Sequence, residues 1–316
     1  MQEEEIIQLA HQFPRFHKEV SLGIEDDAAL FMPTPGYTYA WCVDTLVENT
    51  HFLKSMPAHG VGWKSLAVNL SDLAAMNAEP LGCLLSLGLP AHIEADWISA
   101  FFTGLKAACE TYRVDLMGGD TVKQEHISIS VSVLGKSKKA LTRRGARAGD
   151  SLVVTGTQHG AAAAGLREFL ASKDTLLLPE KLSRLQKAQL YPAPRFQAAQ
   201  ELASFERTHV LDTSDSLLKS ARLLAMSGKS GPLGYALEAR QIPGYVCADH
   251  PHFFADVLRG GEDFELLAAV PPNVVSQLSS RFRPIGTLTE DINYTLHHQD
   301  NTYVMSVDDE GYKHFE

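Results

Sequence analysis

Acidic residues recur in this chain at the ends of short apolar stretches. The clusters are Asp26-Asp27, Asp44-Thr45, Asp72, Gly118-Gly119-Asp120, Asp212-Thr213-Ser214-Asp215 and Gly260-Gly261-Glu262-Asp263. Carboxylates in apolar company repel one another and are costly to desolvate, so something positive must be shared between them. Hard divalent cations, most simply Mg²⁺, with a phosphorylated ligand as the second tenant, meet that need. Asp44, Asp120 and Asp212 each follow a stretch that reads as a strand, and loops at strand ends hold ligand groups on a rigid base.

The elements around these acids alternate. Residues 39–43, 81–89, 114–117, 126–134, 151–155, 208–211 and 264–270 read as strands. Residues 61–76, 94–112, and segments opening near 159, 191 and 215 read as helices. In 126–134, Ile127, Ile129, Val131 and Val133 alternate with Ser128, Ser130 and Ser132, which describes a strand with one buried face. In 61–76 a polar stripe of Ser65, Asn69 and Asp72 faces something other than bulk water, because Asp72 is the only charge in 65–76. The pattern restarts after the basic, Gly-containing stretch 136–150. These features describe an α+β chain of two domains, 1–140 and 141–316.

Composition excludes several classes. The chain has 316 residues, 45% of them hydrophobic and 21% charged, an ordinary globular mix. A net charge of -10 lacks the basic footprint of a nucleic-acid binder. The four cysteines show neither CxxC spacing nor a nearby His pair, which argues against structural zinc and a disulfide framework. No signal peptide or membrane span is legible, so the expected location is the cytoplasm. P-loop and protein-kinase motifs are absent.

Each acidic cluster also has a structural reading. Asp26-Asp27 and Glu262-Asp263 can be exposed turns, Asp44-Thr45 and Ser214-Asp215 can be helix caps, and Gly118-Gly119-Asp120 can be a tight turn. The joint pattern decides. Gly-Ile-Glu-Asp-Asp-Ala-Ala (23–29), Val-Asp-Thr-Leu-Val-Glu-Asn-Thr-His-Phe (43–52) and Lys-Ser-Leu-Ala-Val-Asn-Leu-Ser-Asp-Leu-Ala-Ala-Met (64–76) resemble the thiamine-monophosphate kinase family. So do Gly-Gly-Asp-Thr (118–121), Leu-Thr-Arg-Arg-Gly-Ala-Arg-Ala-Gly-Asp (141–150), Val-Thr-Gly-Thr (154–157) and Tyr-Pro-Ala-Pro-Arg (191–195). Ser-Asp-Ser-Leu (214–217), Gly-Gly-Glu-Asp-Phe-Glu-Leu (260–266) and Gly-Tyr-Lys-His-Phe (311–315) complete the set.

The resemblance implies the two-domain fold shared with aminoimidazole-ribonucleotide synthetase, and a homodimer in which two N-terminal sheets meet. It implies phosphorylation of thiamine monophosphate by ATP to thiamine diphosphate, with several Mg²⁺ ions. Asp26, Asp44, Thr45, Asp72, Asp120, Asp212 and Asp215 match metal-binding positions. Tyr112, Gly119, Asp120, Arg143 and Ser214 match positions that touch ATP, and His51, Glu262 and Tyr312 match positions near the thiamine phosphate. A phosphate nucleophile is already ionised near neutral pH, since its second pKa is about 6, so no general base is assigned. Three positions depart from the family pattern: Glu25 and Ser216 stand in place of Gly, and Val43 in place of Ser or Thr. Ser216 is expected to crowd a phosphate or metal. Two alternatives stay open: an ATP-using relative with another acceptor, and a catalytically weakened nucleotide- or metal-binding homologue.

Overall fold

The structure is a computed structural model and describes residues 3–24, 26–172 and 177–306. The chain divides into two compact units. One holds residues 1–73, 78–139 and 168–192; the other holds 74–77, 140–167 and 193–316.

In the first unit the order is α1 (Glu3–Ala10), β1 (Val20–Leu22), β2 (Leu30–Phe31), β3 (Thr38–Val47), α2 (Ala58–Ala75), β4 (Glu79–Leu89), α3 (Ala95–Tyr112), β5 (Asp115–Lys123) and β6 (Ser128–Ser137). Four strands form one sheet in the order β3-β6-β4-β5, with only β4 and β5 parallel. The alternation of β6 sets its faces: Ile129, Val131 and Val133 are fully buried. Ser130 pairs with Thr45 and Ser132 with Val43 on the other face, beside Trp41. That outer face is open, with Trp41 69% and Val43 61% exposed.

Helices α2 and α3 cover the inner face. They approach backbone to backbone, because a Cβ on Gly62 would overlap the Phe101 carbonyl and one on Gly104 the His59 carbonyl. Two members of the polar stripe of α2 bond back to their own helix, while the buried Asn69 Oδ1 has no partner among the described residues. Ser65 Oγ donates to the Gly62 carbonyl (2.8 Å) and Asn69 Nδ2 to the Ser65 carbonyl (3.1 Å). Asn77 ends the turn after α2 at φ 50°, a conformation Asn tolerates.

The division of the chain at 140/141 needs two amendments, the shorter being that residues 74–77 group with the second unit. Residues 168–192 pack with the first unit, although they follow the second unit's opening strand. Helix α5 (Arg184–Leu190) is closed by a capping box of Ser183 and Gln186, and the Leu190 side chain lies against Gly60. Trp63 Nε1 donates to the Pro192 carbonyl (3.0 Å), and His59 Nδ1 bonds the Tyr191 hydroxyl (3.2 Å).

The second unit adds β7 (Ser151–Thr155), α4 (Ala161–Ala171), α6 (Phe196–Ala203), β8 (His209–Asp212), α7 (Leu217–Met226), β9 (Gly234–Glu238), a π-helix (Phe253–Leu258), β10 (Leu266–Val270), α8 (Pro272–Val275), β11 (Phe282–Thr289), β12 (Tyr294–His298) and β13 (Asn301–Val304). Its sheet has seven strands, ordered β13-β12-β9-β11-β7-β10-β8, and only β12 and β9 are parallel. Both faces are covered. Leu152, Leu237 and Leu267 pack against α7 and the π-helix, while Val153, Val210 and Ala268 pack against α6 and α8. Mostly antiparallel sheets with helices laid on them make this an α+β fold. No helix among the described residues is long and apolar enough to cross a membrane.

Two outcomes follow. Gly104→Ala should lower unfolding free energy by at least about 2 kcal/mol, read from urea melts, because the added methyl meets backbone that cannot yield. The second concerns Glu19 and Lys136, a buried pair 2.7 Å apart that also engages Thr34. The hydrogen bond from Lys136 holds the Glu19 carboxyl down to about 2, with its own backbone amide assisting and burial opposing. A depressed carboxylate stabilises above its unfolded value and loses that contribution as pH falls through the folded one. The stability difference between the wild type and Lys136→Met is therefore full at pH 7. It should shrink between about pH 4.5 and 2.

Candidate active site

Strand β5 carries the first group of site residues. Gly118, Gly119 and Asp120 lie inside this strand, not in a turn after it. Gly119 has no alternative, since a Cβ there would overlap the Leu85 carbonyl of the neighbouring strand. Bare backbone of this kind lets a bulky anion approach closely. Asp26, Asp27, Gly118, Gly119 and Asp120 line one open cavity of about 1360 Å³, which extends onto the outer sheet face at Trp41, Ser130 and Ser132. Asp26 Oδ1 accepts from the Asp27 amide (2.8 Å), which orders that turn.

Strand alternation separates Asp44 from its neighbours. Val43 and Thr45 sit on the outer face, where Thr45 Oγ1 bonds Ser130 Oγ at 2.7 Å. Asp44 points to the opposite face, with Cys42. The side chains of Asp44 and Thr45 are therefore not brought together, and Val43 lies on the open face away from Asp44. Asp72 is half-buried on α2. His51 Nδ1 accepts from the Val47 amide (3.1 Å), and the fully buried Lys64 donates Nζ to the His51 carbonyl (3.3 Å). Tyr112 ends α3 with its ring 5.9 Å from Trp63.

The second group belongs to the other unit. Asp212 ends β8 and accepts from Ser214 Oγ (3.2 Å), while Asp215 pairs with Lys219 (2.7 Å). Ser216 serves the fold. It is fully buried, and its hydroxyl caps α7 by accepting from the Lys219 amide (3.1 Å). The loop 260–265 lies along this turn. The Glu262 amide donates to the Ser214 carbonyl (2.6 Å), and Gly261 sits so close to the Asp215 carbonyl that only glycine fits. Arg143 is exposed on the loop before β7. Glu25 and Tyr312 lie outside the described residues.

Two acids of this loop are structural, against the reading of Glu262-Asp263 as an exposed turn. The Asp263 side chain is only 8% exposed. It accepts from the amides of Gly160 (2.6 Å) and Ala162 (3.3 Å) at the start of α4, and burial pushes its carboxyl up to about 6. Glu265 is held by Arg195 through two hydrogen bonds and accepts from Thr155 Oγ1 (2.6 Å). Arg195, Thr155 and His159 were not legible as site residues. The only signal for Arg195 and Thr155 was membership of the motifs Tyr-Pro-Ala-Pro-Arg and Val-Thr-Gly-Thr, and His159 lay outside both.

Among the described residues, no three His, Cys, Asp or Glu side chains are gathered closely enough to hold a metal ion. The donors lining the cavity nevertheless suit Mg²⁺, being hard carboxylate oxygens. That ion keeps several waters and takes ligands from substrate phosphates, so it does not require an all-protein cage. Within the first unit, Asp26, Asp27 and Asp120 would hold it at this cavity.

The family model for AIR synthase related protein, N-terminal domain, matches residues 25–137. The chain is 35% identical over 273 residues to the thiamine-monophosphate kinase of Haemophilus influenzae, covering 84% of this chain and 80% of that one. Its fold is similar to the crystal structure of thiamine-monophosphate kinase from Stenotrophomonas maltophilia K279a. The TM-score is 0.77, with 31% identity over 93% of this chain and 94% of that one. It is also similar to AaThiL complexed with AMPPCP and TMP, with a TM-score of 0.73 and 27% identity over 87% and 89% of the two chains. With a relative at this identity over most of its length, the chain belongs to the thiamine-monophosphate kinase family.

Proposed function

We propose that this chain transfers the γ-phosphoryl group of ATP to thiamine monophosphate, giving ADP and thiamine diphosphate, with Mg²⁺ at its carboxylates. The observation that carries this reading is the grouping of Asp26, Asp27 and Asp120 with the bare Gly118-Gly119 backbone around one open cavity, in a chain of this family. AMPPCP and TMP in the AaThiL complex support the same pair of substrates here.

Both reactants are anions, so the problem is charge. Bound Mg²⁺ supplies neutralisation and alignment of the two phosphates. The protein's share is positioning. Asp26, Asp44, Asp72, Asp120, Asp212 and Asp215 provide the fixed negative sites, and Gly119 leaves room for phosphate oxygens. Tyr112, Arg143 and Ser214 hold ATP, with the Arg143 guanidinium steadying phosphate charge. With Nδ1 accepting from Val47, neutral His51 carries its proton on Nε2, a donor suited to an acceptor phosphate. Glu262 and Tyr312 complete the thiamine end. No side chain is asked to remove a proton, because the attacking phosphate oxygen is already ionised.

The protein acts as a homodimer through the outer face of β3 and β6, so the cavity that opens at Trp41, Ser130 and Ser132 borders the dimer contact. Support comes from that face itself, an open strand pair that exposes Trp41 and Val43 between small serines. Large exposed apolar side chains on a sheet face mark an association surface.

Purified protein with Mg²⁺, ATP and thiamine monophosphate should produce thiamine diphosphate. Asp72→Asn should reduce that turnover at least about 100-fold with an unchanged circular dichroism spectrum. A protein that binds ATP but forms no product would defeat the reading, and near-wild-type turnover in the variant would remove Asp72 from the site. In sedimentation analysis the wild type should run as a dimer and Trp41→Lys as a monomer. A monomeric wild type would end the dimer assignment.

A further inference from the structure

The loop 260–265 is built in a strained way. Glu262 has φ 67° and Phe264 has φ 49°, so two non-glycine residues take left-handed conformations on either side of Asp263. Such conformations disfavour L-residues and persist only where the surroundings over-determine them. Here the surroundings are specific. Upstream, Gly261 is pressed against the Asp215 carbonyl. Downstream, Glu265 exchanges backbone bonds with Thr213: the Thr213 amide donates to the Glu265 carbonyl (2.8 Å), and the Glu265 amide donates to Thr213 Oγ1 (3.1 Å). Between the two left-handed residues the only anchor is Asp263, buried on the first amides of α4.

We propose that Asp263 is a positioning residue for Glu262. Its carboxylate, fixed on the Gly160 and Ala162 amides, forces the two left-handed turns, and these turns set Glu262 against the Ser214 carbonyl beside Asp212 and Asp215. The role of Glu262 toward the thiamine phosphate rests on the function proposed above; the locking of the loop does not. Several details fit a built device. Gly160 itself has φ 82°, and a Cβ there would press on the Asp256 backbone, so the amide that meets Asp263 is held by glycine geometry. His159 closes the other side: its Nε2 bonds the Thr155 carbonyl (2.8 Å), and its buried Nδ1 lies 3.8 Å from Asp263 Oδ2. Asp263 therefore contacts protein on each side and does not itself meet substrate.

The test combines hydrogen exchange with a double-mutant cycle on the full-length protein. In Asp263→Asn, the amide donors of Gly160 and Ala162 face a side chain that cannot accept from both. The Glu262 amide should exchange at least tenfold faster than in the wild type, while the amides of β10 keep their protection. In kinetics, Asp263→Asn should raise KM for thiamine monophosphate about tenfold or more and leave KM for ATP within about twofold. The Glu262→Gln/Asp263→Asn double variant should be no worse than the worse single one, because both changes remove the same placement. Should Asp263→Asn fail to accumulate as folded protein, Asp263→Ser goes through the same measurements, since its shorter side chain withdraws the acceptor from both amides without leaving a donor against them. Unchanged exchange at Glu262 would overturn the inference whatever the enzyme's activity. So would losses that multiply in the double variant, or an equal rise in both KM values. An inactive wild type with the exchange result intact would instead overturn the choice of reaction and leave the loop lock standing.

Discussion

Glu265 is the point at which four stretches of the second unit meet. Its carboxylate takes two hydrogen bonds from Arg195 of Tyr-Pro-Ala-Pro-Arg and one from Thr155 of Val-Thr-Gly-Thr. Its backbone is paired in both directions with Thr213 of the Asp212–Asp215 turn. Gly156, at φ 81°, has to be glycine because a Cβ would strike the Glu265 carboxylate. Only the Glu265 side of this ion pair is buried, the Arg195 side chain being 39% exposed, so the pair adds little net stability. The pair is thus better understood as a specifier. It makes the positions of the acidic turn and the glycine loop depend on one another, and Asp212 and Glu262 inherit their places from that arrangement.

The first unit solves the same problem with backbone contacts. Gly62 and Gly104 let α2 and α3 meet without side chains between them, and Gly119 lets β5 lie against β4 at Asp120. Interiors packed this tightly do not deform by small amounts, so a carboxylate mounted on them stays where the strand puts it. Strand periodicity then assigns faces. It sends Asp44 inward and Val43 and Thr45 outward, which is why Val43, a departure from the family pattern beside a metal-site acid, belongs to the open sheet face and not to that acid's surroundings.

Much of the fold was legible where a single period dominated. The alternation at 126–134 marks β6, and the apolar stripe at 61–76 marks α2, because each buries one face against a neighbour. Failures came where local signals compete. Gly118-Gly119 reads as a turn by composition, yet the strand runs on to Lys123, since the glycines are there to admit the neighbouring backbone. Helix α5 and the π-helix were missed; neither repeats a pattern long enough to stand out, and α5 is held by tertiary contacts of Trp63, Tyr191 and Pro192. The acids of the site were all visible as acids. Their roles were not, because a buried anchor and an exposed ligand group are the same letter. Ser216 illustrates the point: it looked like an intruder beside the phosphates, and it is a helix cap.

Burial is what divides the roles, and the motif Gly-Gly-Glu-Asp-Phe-Glu shows the division within six residues. Asp263 and Glu265 are buried, and their carboxylates are engaged with amides, a hydroxyl and a guanidinium of the protein itself. Glu262, between a glycine pressed on one turn and an aspartate pinned to a helix, keeps its side chain at the partly exposed edge of the loop. A left-handed backbone at Glu262 is unfavourable by about 1 kcal/mol or more, a cost that a glycine would avoid. That cost is met by the two buried acids that follow it, Asp263 on the α4 amides and Glu265 on Arg195 and Thr155, and these hold the Glu262 carboxylate in position.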